Sequence, residues 1–313
     1  MGELGRWNGV YGGWTHAGTE RIFVRVPAEL KRRAGDAAAG WRGDGSGPTG
    51  WRGNGSRPEL ETTPIVLVHG LSSSRTLKPS IKALGSQRPV FAPDLPGFGL
   101  SDQPIRPLDV PGLADALRRW LFEHDLAPAI VIGVSFGCQV AVDLAASHPS
   151  AVHRLVLVGP TFHPAARTPA RVALRWARSV PSPRLAPAVL HDLIDAGPWR
   201  SIQTFRRALA DPVETKLGQI EAPTLVVRPE RDHLAPGEWT ERMAELIPDA
   251  ELVVLPKTRH SIGRGSAARL AALVDPFLAE AEPEEGLTDT ATERERKETE
   301  EGLAGPAELP EPA

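Results

Sequence analysis

The sequence predicts an α/β fold, in which a doubly wound, mostly parallel sheet carries helices on both faces and a small helical cap. Short apolar runs alternate with segments of helical periodicity along most of the chain. One segment between two predicted strands interrupts this alternation and has helical patterning only. The chain has 313 residues, of which 41% are hydrophobic, and this is enough for one large core or at most two small ones.

The predicted strands are continuous apolar runs, as expected where helices cover both faces of a parallel sheet. The first run, residues 64–68, is rich in β-branched residues and is bounded by Pro and Gly. Ahead of it, residues 9–16 and 21–26 predict a hairpin that turns at residues 16–19. Further strands are predicted at residues 89–92, 129–132, 155–158, 224–227 and 251–255.

Helical periodicity predicts helices at residues 112–124, 136–147 and 266–280, the last of them bent at Asp275 and Pro276. Residues 160–218 contain no strand-like run, and their first helix candidate covers residues 167–180. We interpret this segment as a helical cap inserted between two strands. A row of arginines on one side of that helix is interpreted as a solvated face, with an anion site as the alternative: Arg171, Arg175 and Arg178.

The predicted domain organisation has four parts. Residues 1–159 and 219–280 form the α/β core, and residues 160–218 form the cap. Within the core, residues 31–57 hold a Gly-rich near-duplication and are interpreted as a flexible insertion, because ordering so many glycines costs backbone entropy. Residues 281–313 hold eleven acidic and three basic residues, a net charge of −8, and predict a disordered acidic tail.

The composition also excludes several function classes. The whole chain has a net charge of −3, and residues 1–280, without the acidic tail, have a net charge of only +5. Nucleic-acid binding needs clustered positive charge, so a nucleic-acid partner is not expected. Cys138 is the only cysteine, and no His, Asp and Glu set has metal-ligand spacing, so neither a metal nor another cofactor is expected. With no signal pattern and no run that could span a membrane, we expect a cytoplasmic protein. The oligomeric state cannot be read from the sequence.

The strongest local signal is the motif Gly-Val-Ser-Phe-Gly at residues 133–137. It follows a predicted strand and opens a predicted helix, so Ser135 is expected at a sharp turn with strained backbone angles. Small residues at Gly133 and Gly137 let the strand and the helix pass closely. The turn would direct the hydroxyl group into the cleft at the carboxyl ends of the strands. The alternative is an ordinary glycine-containing turn between a strand and a helix.

A serine nucleophile needs a base, and the base needs an acid that orients it. His260 follows the last predicted strand, and an ordinary imidazole titrates near neutral pH. Asp232 lies just beyond the preceding strand, so both side chains should reach the same end of the sheet as Ser135. Glu230 is the nearest alternative acid. Asp232 could instead be a loop carboxylate paired with Arg231.

The oxyanion of a tetrahedral intermediate needs hydrogen-bond donors, and rigid backbone N–H groups suit this role. We expect one donor from Phe136, directly after the nucleophile. The other should come from the loop after the first core strand, and we favour the N–H of Leu71 over that of Ser72. Cys138 is an alternative nucleophile, but it should point into the core, where a small thiol packs as a hydrophobic group.

Five sequence elements in this order resemble the α/β-hydrolase superfamily, in its cap-bearing lineage. They are His69-Gly70, the segment Asp-Leu-Pro-Gly-Phe-Gly-Leu-Ser-Asp at residues 94–102, the turn at Ser135, and the loops at Asp232 and His260. The resemblance covers residues 9–280 apart from residues 31–57, and it implies the α/β-hydrolase fold. It also implies that His69-Gly70 shapes the oxyanion loop and that residues 94–102 support the cleft. Dehalogenase and epoxide-hydrolase relatives have Asp at the turn, so the serine argues against both activities.

Together these features predict a serine hydrolase that cleaves an ester-type bond of a small or medium apolar molecule through an acyl-enzyme. The catalytic residues would be Ser135, Asp232 and His260. Apolar side chains in the cap would line a pocket or pack into the core: Phe162, Trp176, Trp199 and Phe205. Two alternatives stay open, namely a carbon–carbon bond hydrolase or lyase that uses the same triad, and a non-catalytic receptor that binds a small ligand.

Overall fold

The structure is a computed structural model. It describes residues 10–28, 30, 62–86, 88–161, 163–164, 167–179, 198–260, 262 and 264–279. The predicted flexible insertion and the predicted acidic tail both lie outside these residues. None of the helices in the described ranges has the length and hydropathy needed to cross a membrane.

The described residues form one sheet of eight strands in the order β1-β2-β4-β3-β5-β6-β7-β8. The first two strands pair with each other as an antiparallel hairpin, and β2 pairs antiparallel with β4. All other neighbouring strands are parallel. The bounds are β1 Val10–Ala17, β2 Glu20–Pro27, β3 Ile65–Val68, β4 Val90–Pro93, β5 Ala129–Val134, β6 Val152–Val158, β7 Thr224–Pro229 and β8 Ala250–Leu255.

Seven α-helices connect or flank these strands in the described ranges. Their bounds are α1 Lys78–Leu84, α2 Val110–Glu123, α3 Gly137–Ser147, α4 Pro169–Ser179, α5 Pro198–Ala210, α6 Gly237–Leu246 and α7 Arg264–Ala279. Asp109 caps the N-terminus of α2, because its carboxylate accepts a hydrogen bond from the N–H of Gly112. Helices α4 and α5 lie between β6 and β7 in the chain, within the segment predicted to be the cap.

Alternate residues of each central strand face two separate hydrophobic layers. In β3, Val66 and Val68 belong to the layer that includes α2 and α3, whereas Ile65 and Leu67 belong to the layer that includes α1 and α7. All four side chains are almost fully buried. This two-sided burial explains why the strands are continuously apolar in sequence. The predicted fold class, a mostly parallel α/β sheet with helices on both faces, is confirmed.

The sequence located the strands better than the helices. Every predicted strand is present, with ends that differ by up to three residues. Helices α1 and α6 were not predicted, because each is short and follows a Pro- or Ser-rich turn that masks its periodicity. Helix α7 continues through Pro276 to Ala279, so its predicted extent is nearly correct. In α4, which overlaps the first helix predicted in the cap, the side chain of Val172 is buried.

A buried charge cluster joins helix α3 to the chain that leads from α5 to β7. The ammonium group of Lys216 donates hydrogen bonds to the carboxylates of Asp143 and Asp211, and Gln139 donates to Asp211 over 3.1 Å. Burial opposes the charge on Lys216, but the two carboxylates outweigh it and raise the pKa of this lysine. Burial likewise raises the pKa of Asp211. The cluster therefore fastens the end of the predicted cap to the helix that follows Ser135.

Replacing Lys216 by Met should destabilise the protein strongly, because it leaves two buried carboxylates without their shared cation. We expect the free energy of unfolding to fall by about 3–5 kcal/mol. Urea denaturation followed by circular dichroism measures this change. Arg242→Met is the matched control, since Arg242 pairs with Glu245 at an exposed site on α6, and it should change the stability by less than about 0.5 kcal/mol. Equal losses in both variants would contradict the assignment.

Candidate active site

Ser135 lies at a strained turn between β5 and α3. Its φ angle is +58°, a left-handed conformation that non-glycine residues rarely adopt. The Ser135 N–H donates a hydrogen bond of 3.0 Å to the carbonyl of Val158 on the neighbouring strand β6. The strain expected from the motif is therefore confirmed, and the neighbouring strand holds the turn in place.

Both glycines of the motif are required by close backbone approaches. A Cβ atom on Gly133 would lie 2.7 Å from the carbonyl oxygen of Gly137. A Cβ atom on Gly137 would lie 2.3 Å from the carbonyl oxygen of Val68 and 2.6 Å from that of His69. Real Cβ atoms do not approach backbone this closely, so any side chain at either position would push β3, β5 and α3 apart.

The three residues predicted to be catalytic meet at the carboxyl end of the parallel strands. Ser135 Oγ and His260 Nε2 are 2.8 Å apart, and His260 Nδ1 and Asp232 Oδ2 are 2.7 Å apart. The carboxylate of Asp232 is fully buried, and 11% of the His260 side chain is exposed. With a proton on Nδ1 directed at the carboxylate, Nε2 is free to accept the hydroxyl proton of Ser135.

Backbone hydrogen bonds hold the acid and the base in place. Asp232 Oδ1 accepts the N–H groups of Leu234 and Ala235, over 2.8 and 3.3 Å. One residue earlier, the N–H of Arg231 donates to the carbonyl of Thr258, so the Asp232 loop is tied to the loop that carries His260. Asp232 Oδ1 is thus satisfied by backbone, and Oδ2 is directed at the imidazole.

Glu230, the alternative acid, lies elsewhere. Its carboxylate accepts a 2.6 Å hydrogen bond from the N–H of Lys257 at an exposed position. Lys257 has a φ angle of +52°, so this contact stabilises the tight turn after β8. Glu230 therefore supports the His260 loop rather than the imidazole itself.

The loop after β3 borders the hydroxyl group of Ser135. A Cβ atom on Gly70 would lie 3.6 Å from Ser135 Oγ. The imidazole of His69 is buried; its Nε2 accepts the N–H of Leu95 over 3.0 Å, so its Nδ1 carries the proton and donates to the Gly70 carbonyl over 2.7 Å. In a trans peptide the carbonyl and the next N–H point in opposite directions, so this bond orients the N–H of Leu71 away from His69.

The family can be named once this geometry is set beside known proteins. The sequence model of the alpha/beta hydrolase family matches residues 65–273, which is about two thirds of the chain. This range includes Ser135, Asp232 and His260. The chain belongs to the α/β hydrolase family. It is accordingly a hydrolase of this family, and the fold and the resemblance predicted from sequence are confirmed.

Several relatives of this hydrolase have different substrates in their names. A poly(3-hydroxyalkanoate) depolymerase of Ectopseudomonas oleovorans is 29% identical, over 64% of this chain and 78% of the relative. A 2-hydroxymuconate semialdehyde hydrolase of Pseudomonas sp. strain CF600 is 28% identical, over 70% of this chain and 88% of the relative. An esterase structure from Exiguobacterium antarcticum superposes with a TM-score of 0.61 at 19% identity, covering 69% of this chain and 92% of that one, which supports the fold.

The segment at residues 94–102 is anchored in the hydrolase core by a buried ion pair. Asp94 accepts hydrogen bonds of 2.9 Å from Arg25 on β2, and both side chains are almost fully buried. The same carboxylate accepts the N–H groups of Ser74 and Leu100. At the other side of the loop, the ring of Phe98 lies 6.2 Å from that of Phe136, which directly follows Ser135. The loop therefore links β2 to the candidate site.

Cys138 is not placed as a nucleophile. Cys138 is the second residue of α3, its side chain is buried, and its sulfur donates a 3.2 Å hydrogen bond to the carbonyl of Gly133. Burial raises the pKa of the thiol far above its ordinary range, so it stays protonated. The prediction that Cys138 packs into the core is confirmed.

Sequence reasoning did not identify several supporting residues. Arg25 and Gly159 carried no motif, although a glycine directly before a proline at a strand end is a signal that could have been used.

Of the four apolar residues predicted to line a pocket or pack into the core, Phe205 packs against the core and 71% of Trp199 is exposed. The side chains of Phe162 and Trp176 lie outside the described part of the chain. Within the described ranges, no group of three His, Cys, Asp or Glu side chains could hold a metal ion.

Gly159 offers a direct test of the site geometry. It has a φ angle of +57°, and a Cβ atom there would lie 3.0 Å from Asp232 Oδ2 and 3.5 Å from His260 Nδ1. Gly159→Ala should displace the carboxylate from the imidazole and slow the reaction of Ser135 with a fluorophosphonate by about 10–100-fold. Labelling with a fluorescent fluorophosphonate, quenched at successive times, measures this rate.

Gly18→Ala is the control for that substitution. Gly18 has a φ angle of +60° in the turn between β1 and β2, so alanine carries the same backbone cost there without approaching the triad. The free energy of unfolding should fall by a similar amount in both variants. Gly18→Ala should react with the fluorophosphonate at the rate of the unchanged protein. Unchanged labelling in Gly159→Ala would show that the Asp232 contact has no influence on Ser135.

Proposed function

We propose that this protein is a serine hydrolase that cleaves an ester-type bond of a small or medium apolar substrate through an acyl-enzyme intermediate. The observation that carries the proposal is the chain of two hydrogen bonds from Ser135 Oγ through His260 to Asp232, at 2.8 and 2.7 Å. Family membership supports a hydrolase, and the named residues give it a mechanism.

In the first half of the reaction, Ser135 Oγ attacks the substrate carbonyl carbon while its proton passes to His260 Nε2. The buried carboxylate of Asp232 stabilises the imidazolium that forms. The negative oxygen of the tetrahedral intermediate accepts hydrogen bonds from the N–H groups of Leu71 and Phe136. His260 then gives its proton to the leaving oxygen, the carbonyl reforms, and an acyl group stays on Ser135.

In the second half, a water molecule takes the place of the leaving group. His260 accepts a proton from this water, whose oxygen attacks the acyl carbon, and the second tetrahedral intermediate uses the same two N–H donors. Its collapse returns the proton from His260 to Ser135 Oγ and releases the acid. All these steps use side chains and backbone of this chain, so the proposal includes neither a metal nor another cofactor.

His69 is proposed as a positioning residue for the oxyanion donor. Its neutral imidazole is held between the N–H of Leu95 and the carbonyl of Gly70, and this fixes the peptide that carries the Leu71 N–H. Phe136 provides its N–H at the start of α3, where the first N–H groups of a helix have no intrahelical partner. The two donors therefore approach Ser135 from different elements.

A second candidate function has a specific observation in its favour. The 2-hydroxymuconate semialdehyde hydrolase is similar to this chain over 88% of its own length. By the same triad, the chain would then cleave a carbon–carbon bond next to a ketone, or act as a lyase. The esterase proposal is preferred because a serine, an imidazole and a carboxylate in line are sufficient for ester cleavage. We further propose a cytoplasmic location, a small-molecule substrate and no nucleic-acid partner.

Ser135→Ala should abolish turnover, because it removes the attacking oxygen and leaves only transition-state binding. We expect kcat for p-nitrophenyl ester hydrolysis to fall by about 10⁴–10⁶. Steady-state kinetics on short esters measures the change, and His260→Ala should give a loss of similar size. The buried Cys138→Ala is the matched control, because it lies one turn away and should keep kcat. Full activity in Ser135→Ala would exclude the proposal.

Activity-based labelling separates the candidate functions. A fluorophosphonate should attach to Ser135, as seen by peptide mapping, and short p-nitrophenyl esters should give a burst that marks an acyl-enzyme. Labelling without an ester burst would favour carbon–carbon cleavage. No labelling together with tight binding of a small ligand would favour the non-catalytic receptor, and attachment to another residue would contradict the triad.

A further inference from the structure

Most of the exposed large apolar side chains of the described residues belong to helices α4 and α5 or to one loop. Five of these six belong to the cap helices or to the loop after residue 99, and the sixth, Val254, is on β8. Isolated exposed apolar residues are normal, but a concentration of them marks a contact surface. The five are Leu100 and Ile105 in the loop, Leu174 on α4, and Trp199 and Ile202 on α5.

A hydrogen bond places the loop beside the first turn of α5. Arg200 Nη2 donates to the carbonyl of Pro104 over 2.6 Å. Trp199 and Ile105 are the sequence neighbours of these two residues, with exposed fractions of 71% and 100%. The same loop reaches the site through the contact of Phe98 with Phe136. The exposed apolar surface is therefore next to the chain that borders the candidate active site.

The two cap helices carry only positive charge. Six arginines and no acidic residue occur within α4 and α5. On α4 the exposed positions Arg171, Leu174 and Arg178 follow the spacing i, i+3, i+7, and on α5 the same spacing relates Trp199, Ile202 and Arg206. Each helix thus exposes arginine and large apolar side chains on one face, while Val172 of α4 and Ala208 of α5 are buried.

This combination fits one kind of partner. Arginines draw a protein to anionic head groups, and apolar side chains with a tryptophan insert at the boundary between head groups and acyl chains. A small soluble substrate would need a concave pocket and not an exposed face on two helices. A partner that offers only acidic groups would match the arginines, but it would leave Ile105, Trp199 and Ile202 without an apolar environment.

We infer that the outer faces of α4 and α5, together with the loop at residues 100–105, dock on an anionic phospholipid surface. Docking would bring the mouth of the site to a layer in which apolar esters are concentrated, and this consequence rests on the proposed function. The docking itself does not, because it depends on surface charge and exposed apolar area and needs no turnover.

Vesicle co-sedimentation of the full chain tests the docking. The protein should sediment with vesicles of phosphatidylcholine mixed with phosphatidylglycerol and not with phosphatidylcholine alone, and added salt should weaken the binding. The triple variant Arg171→Gln, Arg178→Gln, Arg206→Gln should lower the partition coefficient about 100-fold, at about fivefold for each arginine. Trp199→Ala with Ile202→Ala should lower it at least about tenfold.

Two controls test whether position matters and not only composition. Arg242→Gln removes an exposed arginine from α6, and Val254→Ser removes the exposed apolar side chain of β8. Both should bind vesicles like the unchanged protein, and thermal unfolding should show that every variant is folded.

Failure of the unchanged protein to bind anionic vesicles, or equal losses in the controls, would overturn the inference. Binding to a soluble polyanion but not to vesicles would also overturn it and indicate an acidic protein partner. Loss of ester hydrolysis with retained vesicle binding would contradict only the proposed function.

Discussion

The left-handed backbone at Ser135 is the constraint on which the rest of the site depends. A φ angle of +58° costs about 1–2 kcal/mol for a residue with a side chain, and it persists only because its surroundings fix it. The Ser135 N–H is bound to β6, Gly133 touches the first turn of α3, and Gly137 touches the end of β3. Three strands and a helix therefore determine one hydroxyl position, and relaxing the turn would require moving all of them.

The sheet then brings the partners of that hydroxyl group to it. Parallel strands end at the same edge, so the loops after β5, β7 and β8 meet although Ser135 and His260 are 125 residues apart in the chain. Strand β6 lies between β5 and β7, and its own loop must leave room for the imidazole and the carboxylate. Gly159 meets this need, since it turns the chain with a φ angle of +57° directly beside Asp232. The strand order thus explains both why Ser135, Asp232 and His260 meet and why a glycine lies next to them.

The sequence was sufficient for the fold class, the strands and the residues that meet, because each has a local signal. Apolar runs mark the strands, the Gly-x-Ser-x-Gly motif marks the turn, and Asp232 and His260 directly follow their strands. It could not give the contacts between distant segments. The ion pair between Arg25 and Asp94 and the cluster around Lys216 join residues about 70 positions apart, and no periodicity encodes such pairs.

The strands that hold Ser135 and the helices α4 and α5 are constrained by the fold to different degrees. The relatives are about equally similar to this chain, yet one is named for a polyester and another for a semialdehyde, so the shared core does not distinguish their substrates. The strained turn at Ser135 is held between buried strands, where almost any substitution would lower the stability of the fold. Helices α4 and α5 have exposed faces and pack on the core through Val172 of α4 and Ala208 and Leu209 of α5. Gln139 and the loop at Pro104 add hydrogen bonds to α5. Their outer residues can vary without disturbing Ser135, so we expect these two helices to be less constrained by folding than the strands that hold the turn.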